Sequence, residues 1–180
     1  AQISAISDDI AYNNHDLEDG LRAGLFTLKK LEKVKYISKI ISKITKNKKN
    51  YRREVFVNEI VRKLISEMVK DVIKNTTKNI KKIKPTSVQD IYLQSHLIVD
   101  FSPKMKLVDV EIKSFLKENM YNNKKVIVNT NNSKIIIKNL FNSLIKNPKK
   151  FIDKEFFISN NKERVVADFI AGMTDRYAIN

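Results

Sequence analysis

Residues 54–75 read EVFVNEIVRKLISEMVKDVIKN, and their spacing decides the fold class. Val57, Ile60, Val61, Leu64, Ile65, Met68 and Val72 recur at intervals of three and four, which draws one apolar stripe along a helix. Working outward, residues 3–26 have the same period. Ile3, Ile6, Ile10, Leu17 and Leu21 fall within one arc of a helical wheel, and Asp8, Tyr12, His15, Asp16 and Asp19 fall on the opposite side. Leu31 to Ile44 gives a further helix through Val34, Ile37, Ile40 and Ile41, followed by a polar loop at 45–50. Lys104 to Tyr121 and Arg164 to Tyr177 return to helical spacing. The stretch 97–103, LIVDFSP, reads as extended or looped, since Pro103 disfavours a helical Ser102. Residues 125–147 are ambiguous: VIV at 126–128 and III at 135–137 are β-branched runs, but Ile136, Leu140, Phe141 and Leu144 favour a helix over 134–146, ended by Pro148. Five or six helices with short connections predict an all-α, helical bundle.

Composition narrows the function classes. The chain has 180 residues, 42% of them hydrophobic, with no Cys. That is enough apolar material for one domain's core. It excludes a disulfide framework, a cysteine zinc site and a thiol nucleophile. No apolar run approaches the length of a spanning helix, so no membrane partner is expected. The chain opens at Ala1 with no charged leader, and the expectation is a fragment in a cytoplasmic setting.

The net charge of +15 is unevenly placed. Residues 1–26 carry five acids and one base, a net −4, whereas residues 27–84 carry 19 bases and five acids, a net +14. Residues 85–180 add +5. A basic stretch of that size could attract nucleic acid or another polyanion. Only six of the 35 bases are Arg, however, and a solvated Lys-rich surface explains most of the excess. Lys48, Lys49, Arg52 and Arg53 form the densest basic cluster.

Within the acidic segment, Asp8, Tyr12 and Asp16 stand four apart and so stack along one helix face at about 6 Å per step. They can line one wall of a pocket, although an acidic solvated face would carry the same pattern. Gly20 and Gly24, unusual inside a helix, suggest close packing against a neighbour, as does Gly172. Arg164 and Asp168 are spaced for an ion pair within a helix, with Asp175 on the same face. His96 has no partners at ligand spacing.

The run SDDIAYNNHDLEDGLRAG at 7–24 resembles the signature helix of the deoxyguanosine triphosphate triphosphohydrolases, a branch of the HD-domain phosphohydrolases. The run RVVADFIAGMTDRYA at 164–178 is similar to that family's C-terminal helix. Phe101-Ser102-Pro103 and Met120-Tyr121 agree more loosely. The resemblance implies an HD-type domain of which this is the C-terminal portion, with a site helix at 1–26, a helical body at 27–162 and a closing helix at 163–180. It implies hydrolysis of a deoxynucleoside triphosphate to the deoxynucleoside and triphosphate, with a divalent metal cation such as Mg or Mn as cofactor. Asp8 matches the last ligand of the metal site, and Tyr12 and Asp16 match positions that contact the deoxyribose. His15-Asp16 spells the dipeptide that names the superfamily, but it follows Asp8, whereas the family's HD pair precedes its final Asp. His15 is therefore read as structural. The remaining ligands are expected upstream of residue 1, so the fragment alone is expected to be inactive and the missing N-terminal segment is its first partner, with a homo-oligomer as a further one. The competing readings are a basic helical nucleic-acid-binding module and a non-catalytic remnant of the enzyme.

Overall fold

The computed structural model describes residues 1–47, 52–157 and 161–179. Lys48 and Lys49 of the basic cluster lie outside them. The described residues are helical with no strand, so the all-α expectation holds. They divide into two compact units, residues 1–123 and 124–180. The boundary falls inside the segment read above as one helical body.

The first unit contains α1 (Gln2–Arg22), α2 (Leu28–Leu31), α3 (Lys35–Asn47), α4 (Arg53–Ile83), α5 (Val88–Tyr92) and α6 (Pro103–Leu116). A π-helical turn over Lys117–Tyr121 continues α6. Leu17 and Leu21 of α1, Leu64 and Met68 of α4, and Ile112 and Leu116 of α6 are buried in one core. Each such side chain contributes about 1.5–3 kcal/mol through its removal from water.

The stripe at 54–75 runs further than its apolar residues show. The helix α4 continues to Ile83 and ends at Lys84, whose φ of 48° closes it in the left-handed region. No Gly or Pro occurs between Arg53 and Lys84. Thr77, which competes with helix by bonding its own backbone, here returns its hydroxyl to the Ile73 carbonyl at 2.7 Å without breaking it.

Where the reading placed one helix at 31–44, there are two. The chain turns at 32–34 between α2 and α3; upstream, α1 stops at Arg22 and does not reach residue 26, because Gly24, with φ +67°, turns the chain before Thr27 caps α2 by accepting from the Lys30 N–H. Nothing lies within 4 Å of a Cβ added to Gly24, so its role is conformational and the close-packing expectation is corrected. Gly20 does meet that expectation. A Cβ there would sit 2.2 Å from Phe26 Cε1, and Phe26 stands edge-on to Phe115 with ring centroids 4.9 Å apart.

The second unit contains α7 (Lys124–Lys146), α8 (Lys162–Ala171) and α9 (Asp175–Ile179). The β-branched runs at 126–128 and 135–137 both lie in α7, a helix ten residues longer than the favoured 134–146. A strand needs neighbours to satisfy its backbone, and none is present among the described residues, whereas a helix closes its bonds internally. The closing helix is broken at 172–174, which places Asp175 on a separate element from Arg164 and Asp168. Gly172 caps α8, and an added Cβ would meet only backbone oxygens at 3.6 and 3.7 Å, so no close approach requires it. Leu144, Ile152, Val165 and Val166 form this unit's small core.

Candidate functional site

The acidic face of α1 is held in place by groups on its two buried flanks. Asn13 donates to Asp109 Oδ1 of α6 at 3.0 Å, and both residues are buried. Lys113, one turn along α6, bridges Asp109 at 2.9 Å and Asp9 at 3.1 Å. Partial burial would lower the Lys113 ammonium's pKa, but hydrogen bonds to Asp109 and Asp9 outweigh it and hold the group above its ordinary range. On the other flank Asn14 is fully buried. Its amide donates to the Ile10 carbonyl at 2.7 Å and to Met68 Sδ at 3.4 Å. The rotation of α1 about its own axis is thereby fixed from two sides, and so is the direction in which Asp8, Tyr12 and Asp16 point.

Those three residues do share a face, but they differ in company. Asp8 is exposed. Tyr12 is also exposed. Asp16 is half-buried and accepts a hydrogen bond from the Tyr121 hydroxyl, which arrives from 105 positions away on the π-helical turn. Burial, then the Asp16 carboxylate and Tyr12 beside it, push the Tyr121 phenol far above its usual value. It therefore stays protonated and remains a donor. The π-helical turn matters here because one extra residue in the helix redirects the side chains after it. Asn119, buried in that turn, ties its amide to the Phe115 carbonyl at 2.8 Å. Tyr121 was legible in the sequence only as part of the loose Met120-Tyr121 agreement; no spacing rule links it to Asp16.

His15 is exposed, with Nδ1 3.8 Å from Glu18 Oε2, and it takes no part in this arrangement. His96 is exposed as well. Arg164 and Asp168 form the expected pair at 2.8 Å on the surface of α8. Among the described residues, no three His, Asp or Glu side chains come together to hold a metal. These residues do not make up a complete metal site; Asp8 could offer one carboxylate to a cation.

A second polar system went unread. Asp71, Asn75 and Asn79 stand four apart on α4 and fasten the segment before α6. Asp71 accepts from the Ser102 N–H and hydroxyl, both at 2.7 Å. Asn75 donates to the carbonyls of Asp100 and Phe101, and Asn79 to that of Ile98. Gln2 of α1 accepts from the Ile98 and Val99 N–H groups. The LIVDFSP stretch is irregular, as expected, but its backbone is satisfied by side chains.

With this geometry in view, comparison with known proteins is direct. Residues 99–180 match the model of the phosphohydrolase-associated domain. Over its whole length the chain is 46% identical to the deoxyguanosinetriphosphate triphosphohydrolase-like protein of Pelagibacter ubique, covering 48% of that protein. It is 39% identical to the protein of the same name from Bartonella tribocorum and 36% identical to that from Agrobacterium fabrum, in both cases over 99% of this chain and 46% of the relative. The chain is a homologue of the deoxyguanosinetriphosphate triphosphohydrolase-like proteins. It spans about half the length of the curated relatives it matches. The phosphohydrolase-associated segment contains Asp109, Lys113 and Tyr121, whereas Asp8, Tyr12 and Asp16 precede it. The candidate site of this chain is thus built across the edge of that segment. No helix among the described residues is long and apolar enough to cross a membrane.

Proposed function

We propose that this chain forms the sugar-binding wall of a deoxynucleoside triphosphate triphosphohydrolase acting on dGTP or a similar nucleotide in the cytoplasm. The observation that carries the reading is the Asp16 and Tyr121 pair beside Tyr12, on a helix whose orientation is fixed by Asn13 and Asn14. Asp16 accepts from the 3′-hydroxyl of the deoxyribose. Tyr121, held protonated, donates its one proton to the Asp16 carboxylate and keeps it oriented. The Tyr12 ring, exposed one turn before Asp16, offers an apolar wall to the sugar. Asp8 lies two turns before Asp16, about 12 Å along the axis, which suits the reach from a sugar to the phosphate end of a nucleotide.

Asp8 would be one ligand of a divalent cation, with its other ligands supplied by residues outside these 180. A cation so bound supplies Lewis acidity to a phosphoryl oxygen and to water. This chain's own contribution is to place the sugar, and so the rest of the nucleotide, at a fixed distance from that carboxylate.

The test is a chimera in which the portion of the Pelagibacter relative lacking a counterpart here is joined ahead of this chain. Triphosphate release from dGTP should need a divalent cation and should fall by at least about 100-fold in Asp8→Ala, the scale of a lost electrostatic contact to reacting charge. The chain alone should release none. Undiminished release in the Asp8→Ala chimera would sink the proposal.

A further inference from the structure

The helix α4 carries two apolar stripes. Val57, Ile60, Leu64, Met68 and Val72 fill the core, while Ile65, Val69, Ile73, Thr76 and Ile80 fall within about 80° of one another on a neighbouring side. Val69, Ile73 and Ile80 are exposed, and so is Ile3 of α1. Ile3, Ile6, Ser7, Val69, Ile73 and Thr76 line a groove of about 260 Å³ between the start of α1 and α4. The Thr76 hydroxyl stands in its wall, out of contact with water and with no hydrogen-bond partner among the described residues. A single exposed aliphatic side chain is ordinary, but a contiguous set around an unpaired hydroxyl marks a surface that another element covers.

The groove leads to Asp8. Going round α1, Ser7 at the groove's edge is followed by Ala11, Ser4 and then Asp8 within about 100°. Ser4, Ser7 and Asp8 are exposed. The other flank of α1 is taken, because Asn13 is bonded to Asp109 of α6. Side chains as short as Ser and Ala let a packed helix approach to about 8 Å between axes, the near end of the usual range. Donors around one divalent cation sit within about 5 Å of each other, since each bond is ~2.0–2.6 Å long. Whatever supplies the ligands that Asp8 lacks must therefore lie against α1, and the open approach is from the groove.

We infer that this groove seats an apolar helix from the half of the triphosphohydrolase-like relatives that has no counterpart in this chain. The strip of Ser4, Ser7 and Ala11 lets that half run close enough to set its own groups beside Asp8. The occupant's chemistry follows from the lining: aliphatic side chains against Ile3, Val69 and Ile73, no charge at the centre, and one hydrogen-bonding group for Thr76. This chain covers 48% and 46% of two such relatives, so each has ample further chain to supply it. A second copy fits less well. A stable dimer buries about 800 Å² on each partner, more than four partly exposed aliphatic side chains supply, whereas a segment of the same polypeptide meets the groove at high effective concentration. The inference rests on the proposed function only in taking Asp8 as a metal ligand.

Because the chain has no cysteine, a single thiol can be introduced as a reporter. Ile73→Cys puts it in the groove, and Lys78→Cys puts it on the far, exposed side of α4. Maleimide labelling of each is followed by mass spectrometry of the peptide holding the new cysteine, without metal or nucleotide, in the 180-residue chain and in the chimera with the Pelagibacter portion. Ile73→Cys should label at least about 10-fold more slowly in the chimera than in the chain, since a covered thiol reacts only when the structure opens. Lys78→Cys should label equally in both. If circular dichroism shows the chimera unfolded, the intact Pelagibacter relative is used, with cysteine in turn at the positions aligned with Ile73 and Lys78, and the first should label more slowly by the same factor. Equal labelling of Ile73→Cys in chain and chimera, or of the two positions in the relative, would overturn the inference. Protection in the chain alone that grows with its concentration would overturn it too, by seating a second copy in the groove. Slow labelling of the chimera together with undiminished triphosphate release in Asp8→Ala would support the docking surface while sinking the proposed reaction, so the two failures are told apart.

Discussion

Residues 1–123 and 124–180 are both helical, yet they bury very different amounts of apolar surface. The first unit encloses a continuous core from Ile10 to Leu116, with several side chains wholly removed from water. Among the described residues the second has a core cluster of only Leu144, Ile152, Val165 and Val166 and leaves Ile127, Ile135 and Ile137 of α7 exposed. The contrast teaches that helix content is a poor guide to rigidity. Tertiary packing, more than propensity, stabilises a helix in water, and the proposed sugar wall lies on the well-packed unit.

The comparison can be broken first at the two cores. Leu64→Ala, at a fully buried position of α4, should cost about 2–5 kcal/mol through lost transfer and a residual cavity. Val166→Ala, equally buried but in the small core, removes less and has neighbours freer to collapse, so about 1 kcal/mol is expected. Urea denaturation followed by circular dichroism measures both. Similar losses would mean that the second unit is as tightly packed as the first.

Buried Gly20 and exposed Gly172 sharpen it. Gly20→Ala drives a Cβ into the Phe26 ring, which stands edge-on against Phe115, and should cost about 1–3 kcal/mol. At Gly172, where φ is −81° and the contacts are ordinary, the same substitution should be neutral or stabilise by about 0.4–1 kcal/mol. Thermal melts of the two variants should move in opposite directions or differ clearly in size.

Polar contacts divide the same way. Asp109→Ala would strand the buried Asn13 amide and loosen Lys113, a loss of about 1–3 kcal/mol. Arg164→Ala removes an exposed, solvent-screened pair on α8, and no measurable loss of stability is expected.

The smallest effect concerns pH. Tyr121's folded pKa lies above its unfolded value, so the stability linked to its proton is present below about pH 10 and is lost as pH rises past 10 toward the folded pKa. Tyr36, raised by burial and by Glu67 and Asp71, acts in the same direction. Stability measured from pH 8 to 11 should fall in the native chain and fall less in Tyr121→Phe. An identical decline in the variant would mean that the Asp16 hydrogen bond is not held in solution.

Much of this fold was legible along the chain, and the failures have a pattern. The apolar stripes of α1, α4 and α6 were readable because burial repeats with the helical period. The break at 23–27 was missed because Gly24 acts through its backbone angle, which no apolar count records. The extent of α7 was missed because β-branched runs favour strands only when a neighbouring strand exists. In the candidate site, Asp8, Tyr12 and Asp16 could be aligned by counting fours. Asn13 and Asn14 could not, since they lie between the two faces and their burial depends on α4 and α6.

Local sequence therefore determined the helices, the face shared by Asp8, Tyr12 and Asp16, and the resemblance that named a family for comparison. These are properties of spacing within one element, and the 3.6-residue repeat suffices to read them. Tertiary structure alone decided that Tyr121 meets Asp16, that Asp109 and Lys113 hold α1 in register, and that Asp71 is engaged by Ser102. Each of those contacts joins residues at least 31 positions apart. Their proximity comes from how α1, α4 and α6 share one core, which no periodicity within a single helix specifies.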